Sequence, residues 1–292
     1  MNKLKFEAIG THWTIDVGLS KSSSDDFQPH LKKIIFERIE EFEKNYSRFR
    51  DDSLVAKMAE GSGNYKLPAD GKKLLDIYQK IYQLSNGAVT PLIGKVLVEA
   101  GYDEHYSLTP KSNRTPPPKW EEVMDYKFPQ LSIKKPVQLD FGAGGKGYLI
   151  DLVGEILVKN EIKNYCVEAG GDMVYKTTGE KKLRVGLENP NNVEQAIGVV
   201  EIGNQAICGS AGNRRAWGEI NHIIDPRNLK SPKEIAGVWV IAKDTLTADM
   251  LTTGLYFVKP EILQENFEFE YLKLMADMRV EKSNGFEAEL FY

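Results

Sequence analysis

The chain has 292 residues, 41% of them hydrophobic and 27% charged, with a net charge of −4. That balance excludes a disordered or fibrous chain, and the mild acidity excludes a global basic field for nucleic acid or an anionic membrane surface. The two cysteines, Cys166 and Cys208, exclude a disulfide scaffold and a CxxC metal site; both sit in apolar runs and read as buried thiols.

Lys3–Leu19 alternates and reads as a strand pair or a bent strand around Gly10. It lacks the apolar centre of a signal peptide, and no later run reaches transmembrane length, so a cytoplasmic protein without a membrane anchor is expected. Asp25–Arg50 is the longest helix expected, with Phe27, Leu31, Ile34, Ile35, Ile39, Phe42 and Tyr46 at helical spacing. Asp52-Ser53 offers a cap for a short helix, Leu54–Glu60. A third helix spans Asp70–Ser85 and closes at Asn86-Gly87. Pro91 starts the next segment and Gly101 ends it. Residues 103–119 are polar and proline-rich, and read as a surface loop.

Leu131–Ile133 and Val137–Phe141 read as short strands. A glycine-crowded turn, Gly142–Gly147, leads into an apolar-periodic helix with Tyr148, Ile150, Leu152, Val153, Ile156 and Leu157. Such a turn aims backbone N–H groups and a helix N-terminus at an anion, and Lys146 adds a full charge. It also serves equally as a tight bend that needs glycine for its backbone angles. Gly142, Gly144 and Gly147 satisfy G-x-G-x-x-G with Glu168 downstream, the pattern of a nicotinamide-dinucleotide site. Two features speak against it. The run before the turn alternates and ends in Asp140, whereas a central parallel strand is continuously apolar. The chain beyond also lacks regular strand–helix alternation.

Further strands are expected at Tyr165–Glu168, Met173–Lys176, Leu183–Leu187, Gly198–Ile202, Gln205–Cys208 and Val238–Ala242, with Ile220–Ile224 before Asp225-Pro226. Thr245–Val258 is an apolar helix carrying Asp249, and the tail Tyr271–Val280 alternates. Strands and helices mix without a βα rhythm. The fold class is therefore α+β with more than one sheet, in one domain over residues 1–292.

Asp249 and Thr253 are four apart, so a carboxylate and a hydroxyl share a helix face. In an apolar helix the carboxylate either bonds nearby backbone N–H groups or holds a cation, and oxygen donors suit Mg2+ or Ca2+. His222 lies among Ile220, Ile223 and Ile224, as a core histidine does. Asn221, Asp225 and Arg227 beside it also allow a pocket in which it acts as a general base. His12, His30 and His105 form no zinc spacing with it. Small-residue turns at Gly170-Gly171-Asp172 and Gly209–Gly212 join the first in suggesting a large flat or phosphorylated ligand.

The ordered set LDFGAGGKGYLIDLV, VEAGGDM, GSAGNRR, NHIIDPRN and TADMLTTG resembles the FAD:protein FMN transferases, the ApbE family. YSRFRDDSLVAKM and SNGAVTPLIG resemble its N-terminal motifs, so the likeness runs from about Ile9 to the C-terminus. The resemblance implies an ApbE-like fold of mixed and antiparallel sheets with packed helices. It implies binding of FAD with Mg2+ and transfer of FMN to a Thr or Ser hydroxyl of an acceptor protein, releasing AMP. By position, Asp249 and Thr253 match side-chain metal ligands and Ala143 a backbone-carbonyl ligand. Asp140 and Lys146 match flavin-nucleotide contacts, as do Ile9, Phe49, Ala88, Val89, Thr90 and Ile223, while His222 matches the general base. The chain departs from the family at Thr90, where an Asp is usual, and at Ser210-Ala211-Gly212, where Thr-Ser-Gly is usual. The same site allows hydrolysis of FAD to FMN and AMP, or flavin binding without turnover.

Overall fold

The computed structural model describes residues 2–18 and 27–291. Strands β1 (Asn2–Ala8) and β2 (Thr11–Val17) form a hairpin, so the run is a strand pair and not a bent strand. Its turn residues Ile9 and Gly10 have φ of 47° and 70°, the left-handed pair that a two-residue hairpin turn requires. Leu19, Asp25 and Asp26, which the expected strand and helix included, lie outside the described residues. Helix α1 (Pro29–Tyr46) is shorter than the expected Asp25–Arg50; it starts on a proline, whose missing N–H is harmless there. It buries Leu31, Ile35, Ile39, Phe42 and Tyr46.

Ser53 caps α2 (Leu54–Glu60) by accepting the Ala56 N–H at 3.0 Å. Strand β3 (Gly63–Lys66) precedes α3 (Gly71–Leu84). Asp70 stands at the start of α3 without capping it, because its carboxylate is taken by Arg38 and by the Tyr46 hydroxyl. Asn86 and Gly87, both at positive φ, end the helix as expected. Pro91–Ile93 form a 3-10 turn that runs into α4 (Gly94–Glu99). Residues 103–119 contain neither helix nor strand and are mostly exposed. Helix α5 (Trp120–Val123) leads to β4 (Met124–Lys127) and β5 (Gln130–Ile133), and β5 lies between β3 and β4.

Val137–Phe141 is not a strand. Val137, Leu139 and Phe141 are buried in alternation, but no neighbouring strand is there to pair with. The backbone bonds instead to helix and turn carbonyls: the Val137 N–H to Met58 at 3.0 Å and the Asp140 N–H to Pro91 at 2.7 Å. Alternating burial makes a strand only where a ladder partner exists.

Helix α6 (Gly145–Lys159) is followed by β6 (Tyr165–Ala169), β7 (Asp172–Lys176), β8 (Leu183–Asn189), β9 (Asn192–Ile202) and β10 (Ala206–Ala211). The short pair β11 (Ala216–Trp217) and β12 (Ile220–Asn221) comes next, so Ile220–Ile224 is strand only at its start. Strand β13 (Ile235–Ala242), α7 (Thr245–Gly254), α8 (Pro260–Gln264), β14 (Phe269–Met275), β15 (Val280–Lys282) and β16 (Ala288–Leu290) complete the chain.

Among the described residues, eight strands form one sheet in the order β1-β2-β6-β7-β10-β13-β14-β15, and β16-β9-β8 form a second layer. The ladders of both sheets are antiparallel, which removes the nicotinamide-dinucleotide reading of the glycine pattern. Helices α6 and α7 pack on one face of the large sheet, with α1 against α6 and α3 against α7, and the core there includes Ile15, Val167, Val174, Val238 and Val240. The other face, through Ile207, Trp239, Ile241 and Leu272, packs against Leu187, Val200 and Ile202 of the second layer. Cys208 is fully buried, whereas Cys166 is only half-buried.

Candidate functional site

Strands β7 and β10 pair only at Ala206–Val174 and Ile207–Met173, and beyond Ile207 they diverge. Asp172 spans the divergence. Its Oδ1 accepts the Gly209 N–H at 2.9 Å, and its Oδ2 pairs with the Lys146 ammonium. A cavity of about 1120 Å³ opens here. All the residues singled out as candidates line it: Ile9, Phe49, Ala88, Val89, Thr90, Asp140, Ala143, Lys146, His222, Ile223, Asp249 and Thr253. They come from distant parts of the chain, and the fold brings all of them together.

The glycine turn has a packing role that its spacing did not reveal. A Cβ on Gly147 would sit 2.3 Å from the Thr245 carbonyl oxygen and 2.6 Å from Asp249 Cβ. Without it, α7 lies close against the start of α6, and Asp249 Oδ2 accepts the Gly147 N–H at 2.8 Å. The Gly147 N–H thus turns to Asp249, and the Ala143 carbonyl four residues earlier is not claimed by the first turn of the helix. Asp249, Thr253 and Ala143, which carry a carboxylate, a hydroxyl and an unclaimed carbonyl, all line one cavity. Burial pushes the Asp249 carboxyl up, against the opposing pull of the Lys146 charge and the Gly147 N–H.

Among the described residues no cluster of three His, Cys, Asp or Glu side chains forms a metal cage. The donor set here is all oxygen with a single carboxylate, in a buried position where desolvation outweighs the support of the anion by Lys146 and the Gly147 N–H. That set fits Mg2+, which takes few protein ligands and completes its shell with water and phosphate oxygens. It does not fit zinc, which takes nitrogen and sulfur.

His222 follows the β11–β12 hairpin, with its N–H bonded to the Arg215 carbonyl at 3.0 Å. Its Nδ1 is buried and has no hydrogen-bond partner among the described residues. Burial, reinforced by the Arg215 charge, pushes the imidazole down to about 4, so it is neutral near pH 7 and free to accept a proton, though as a weaker base than an exposed imidazole. The polar neighbours noted in the sequence do other work. Asn221 Oδ1 accepts the Ile223 N–H at 2.8 Å, and Asp225 grips the Arg227 N–H and guanidinium. They brace the loop rather than meet the imidazole.

Asp140 is held from two sides. Its Oδ1 accepts the Gly142 N–H at 2.7 Å, and its Oδ2 pairs with Arg48 Nε at 2.5 Å. Arg48 is almost wholly buried and also bonds the Tyr102 carbonyl. Its guanidinium lies 4.0 Å from the Phe49 ring centre, and Phe49 stacks on Tyr106 at 5.9 Å with a 7° interplanar angle. Arg215 Nη1 donates to the Tyr102 hydroxyl at 2.8 Å. Thr90 is buried, and its Oγ1 accepts the Leu92 N–H at 3.2 Å. Sequence reasoning missed Arg48, Tyr102, Tyr106, Asp172 and Arg215. Arg48 stood next to Phe49, Arg215 in GSAGNRR and Asp172 in the GGD turn, but nothing in spacing separates such residues from surface charge.

The chain is 25% identical over 298 residues to the FAD:protein FMN transferase of Buchnera aphidicola, covering 90% of this chain and 83% of that protein. Its fold matches the flavin transferase ApbE of Vibrio cholerae with a TM-score of 0.79 at 20% identity, covering 97% of each chain. It matches the ApbE protein of Thermotoga maritima with a TM-score of 0.82 at 21% identity, again covering 97% of each. No described helix is long and apolar enough to cross a membrane. The sequence model of the ApbE family matches residues 9–273, and with nearly the whole chain so covered, the protein belongs to the ApbE family.

Proposed function

We propose that this protein is a Mg2+-dependent FAD:protein FMN transferase that works as one domain in the cytoplasm. It moves FMN from FAD to a Thr or Ser hydroxyl of an acceptor protein. The carrying observation is that the Asp249–Thr253–Ala143 oxygen set and the unpartnered Nδ1 of His222 belong to residues of one cavity.

In this reading the acceptor hydroxyl gives its proton to the neutral His222 imidazole as its oxygen bonds to the flavin-side phosphorus. The bond from that phosphorus to the bridging oxygen breaks, and AMP leaves with the electron pair. Lys146 stands where developing phosphate charge needs a cation, and Asp172 fixes its ammonium. Asp249, Thr253 and Ala143 would hold Mg2+, which supplies charge neutralisation on the diphosphate. Arg48 holds Asp140, and so shapes the start of the glycine turn. Phe49 and Tyr106 are exposed aromatic side chains on the cavity wall, suited to contact with a ring system.

The test is incubation with FAD, Mg2+ and an acceptor protein bearing an exposed Thr or Ser. AMP release should match flavin that stays on the acceptor after denaturation. AMP without bound flavin would make the enzyme an FAD hydrolase, and flavin bound without AMP would make it a carrier.

A further inference from the structure

The cavity wall includes Leu183, Arg184, Val185, Gly186 and Glu188, a part of β8 that none of the roles above uses. Side chains along a strand alternate between faces. A cavity against one face would meet every second residue. This one meets four in succession, so it runs along the edge of β8. Leu183, Val185 and Leu187 turn into the second core, while Arg184 and Gly186 are exposed.

That edge is open. Strand β8 pairs with β9 on one side, and among the described residues no strand takes the other. Gly186 is exposed, and a Cβ there would meet only the Ala196 Cβ, at 3.8 Å. The other strands of the wall are occupied. Strand β2 lies between β1 and β6, and β6 between β2 and β7. Past its divergence from β7, β10 gives its Gly209 N–H to Asp172, and its Ser210 carbonyl accepts the Tyr256 hydroxyl. Strand β1 also has a free edge, but only Lys3 of it reaches the cavity. Beside the β8 edge, Thr14, Asp16, Cys166 and Glu168 contribute a polar floor.

The transfer itself states what this edge must face. A Thr or Ser side chain is short, so a hydroxyl that reaches a phosphorus inside the cavity brings its own main chain in with it. The N–H and C=O groups of that main chain leave water and need partners. We propose that the acceptor protein docks as an extended segment that adds a strand to the free edge of β8, with its side chains alternating between the polar floor and solvent. This rests on the transferase reading and names how its acceptor is held. Recognition by main-chain pairing tolerates varied sequence and demands an extended, unpaired backbone in the partner.

The experiment uses the full chain with FAD and Mg2+, and a library of short synthetic peptides with one central Thr. Flavinylated members are identified by mass, and the best is remade with single N-methyl groups at each backbone position. Strand addition predicts a loss of about tenfold in transfer at every second position near the Thr, with little loss between. Gly186→Pro should raise KM for the parent peptide about tenfold while FAD binding and the thermal melt stay unchanged. Because the N-methyl series needs no enzyme variant, misfolding of Gly186→Pro would leave that series to decide. An N-methyl profile without a two-residue period would overturn the proposal. So would a β8 edge taken by a second copy, seen as a dimer that peptide fails to dissociate. Absence of both FAD binding and AMP release would instead sink the transferase reading beneath it.

Discussion

Helices α6 and α7 exchange carboxylates at their starts, and the two ends do different things. Asp151 on α6 accepts the N–H groups of Thr245 and Leu246 at 2.8 and 2.9 Å, one on each oxygen. Asp249 on α7 accepts one N–H, that of Gly147, and makes no second hydrogen bond among the described residues. Burial pushes both carboxyls up, that of Asp151 to about 6. A buried carboxylate with both oxygens satisfied by backbone is a helix cap placed in trans. One with an oxygen to spare, beside a hydroxyl, a carbonyl and a cavity, is a ligand site. Burial alone does not tell them apart; the count of satisfied lone pairs does.

Substitution at the two ends should separate them. Asp249→Ala is expected to lower Mg2+-dependent turnover by about a thousandfold or more, read as AMP release, with the melt little changed. Wild-type turnover there would erase the distinction. His222→Gln should lower turnover about a hundredfold, the scale of a lost general base, while fluorescence titration finds FAD binding intact. Asp151→Ala should do the reverse. It should cost about 2 kcal/mol in urea unfolding, because two buried N–H groups lose their acceptor, and leave turnover near wild type below the melt. A catalytic defect in a fully folded Asp151→Ala protein would break the contrast.

The remaining contrast is in pH. The folded Asp151 carboxyl keeps its proton to about pH 6, whereas the unfolded one loses it near 4, so this group's contribution to stability falls as pH rises across that interval. His222 runs the other way. The unfolded imidazole takes a proton near 6.5 and the folded one only at about 4, so stability falls as pH drops between them. Urea curves for Asp151→Asn and His222→Gln, each subtracted from wild type, should show slopes of opposite sign. Equal slopes would refute both assignments.

Local order was legible where the signal is local. Ser53 caps α2, Asn86-Gly87 stop α3, and the apolar spacing of Leu31, Ile35 and Ile39 marks the buried stripe of α1. Val137–Phe141 misled because its period is right while its neighbours are not strands. The nicotinamide pattern of glycines was already disfavoured by the sequence around it, but the reason for Gly147 was not legible there: it answers to the Thr245 carbonyl, 98 positions along the chain from it. Arg48 could not be told from a surface arginine until its pairing with Asp140 was seen.

What the residues alone specified were the longer helices, the strand run that forms the first hairpin, and an inventory of oxygen donors and one unusual histidine, since periodicity and capping act over a few positions. The meeting of α6 with α7, the splitting of β7 from β10 and the open edge of β8 belong to the folded molecule. They depend on which distant surfaces touch, and a side chain's neighbours, charge state and spare lone pairs exist only once those contacts are made.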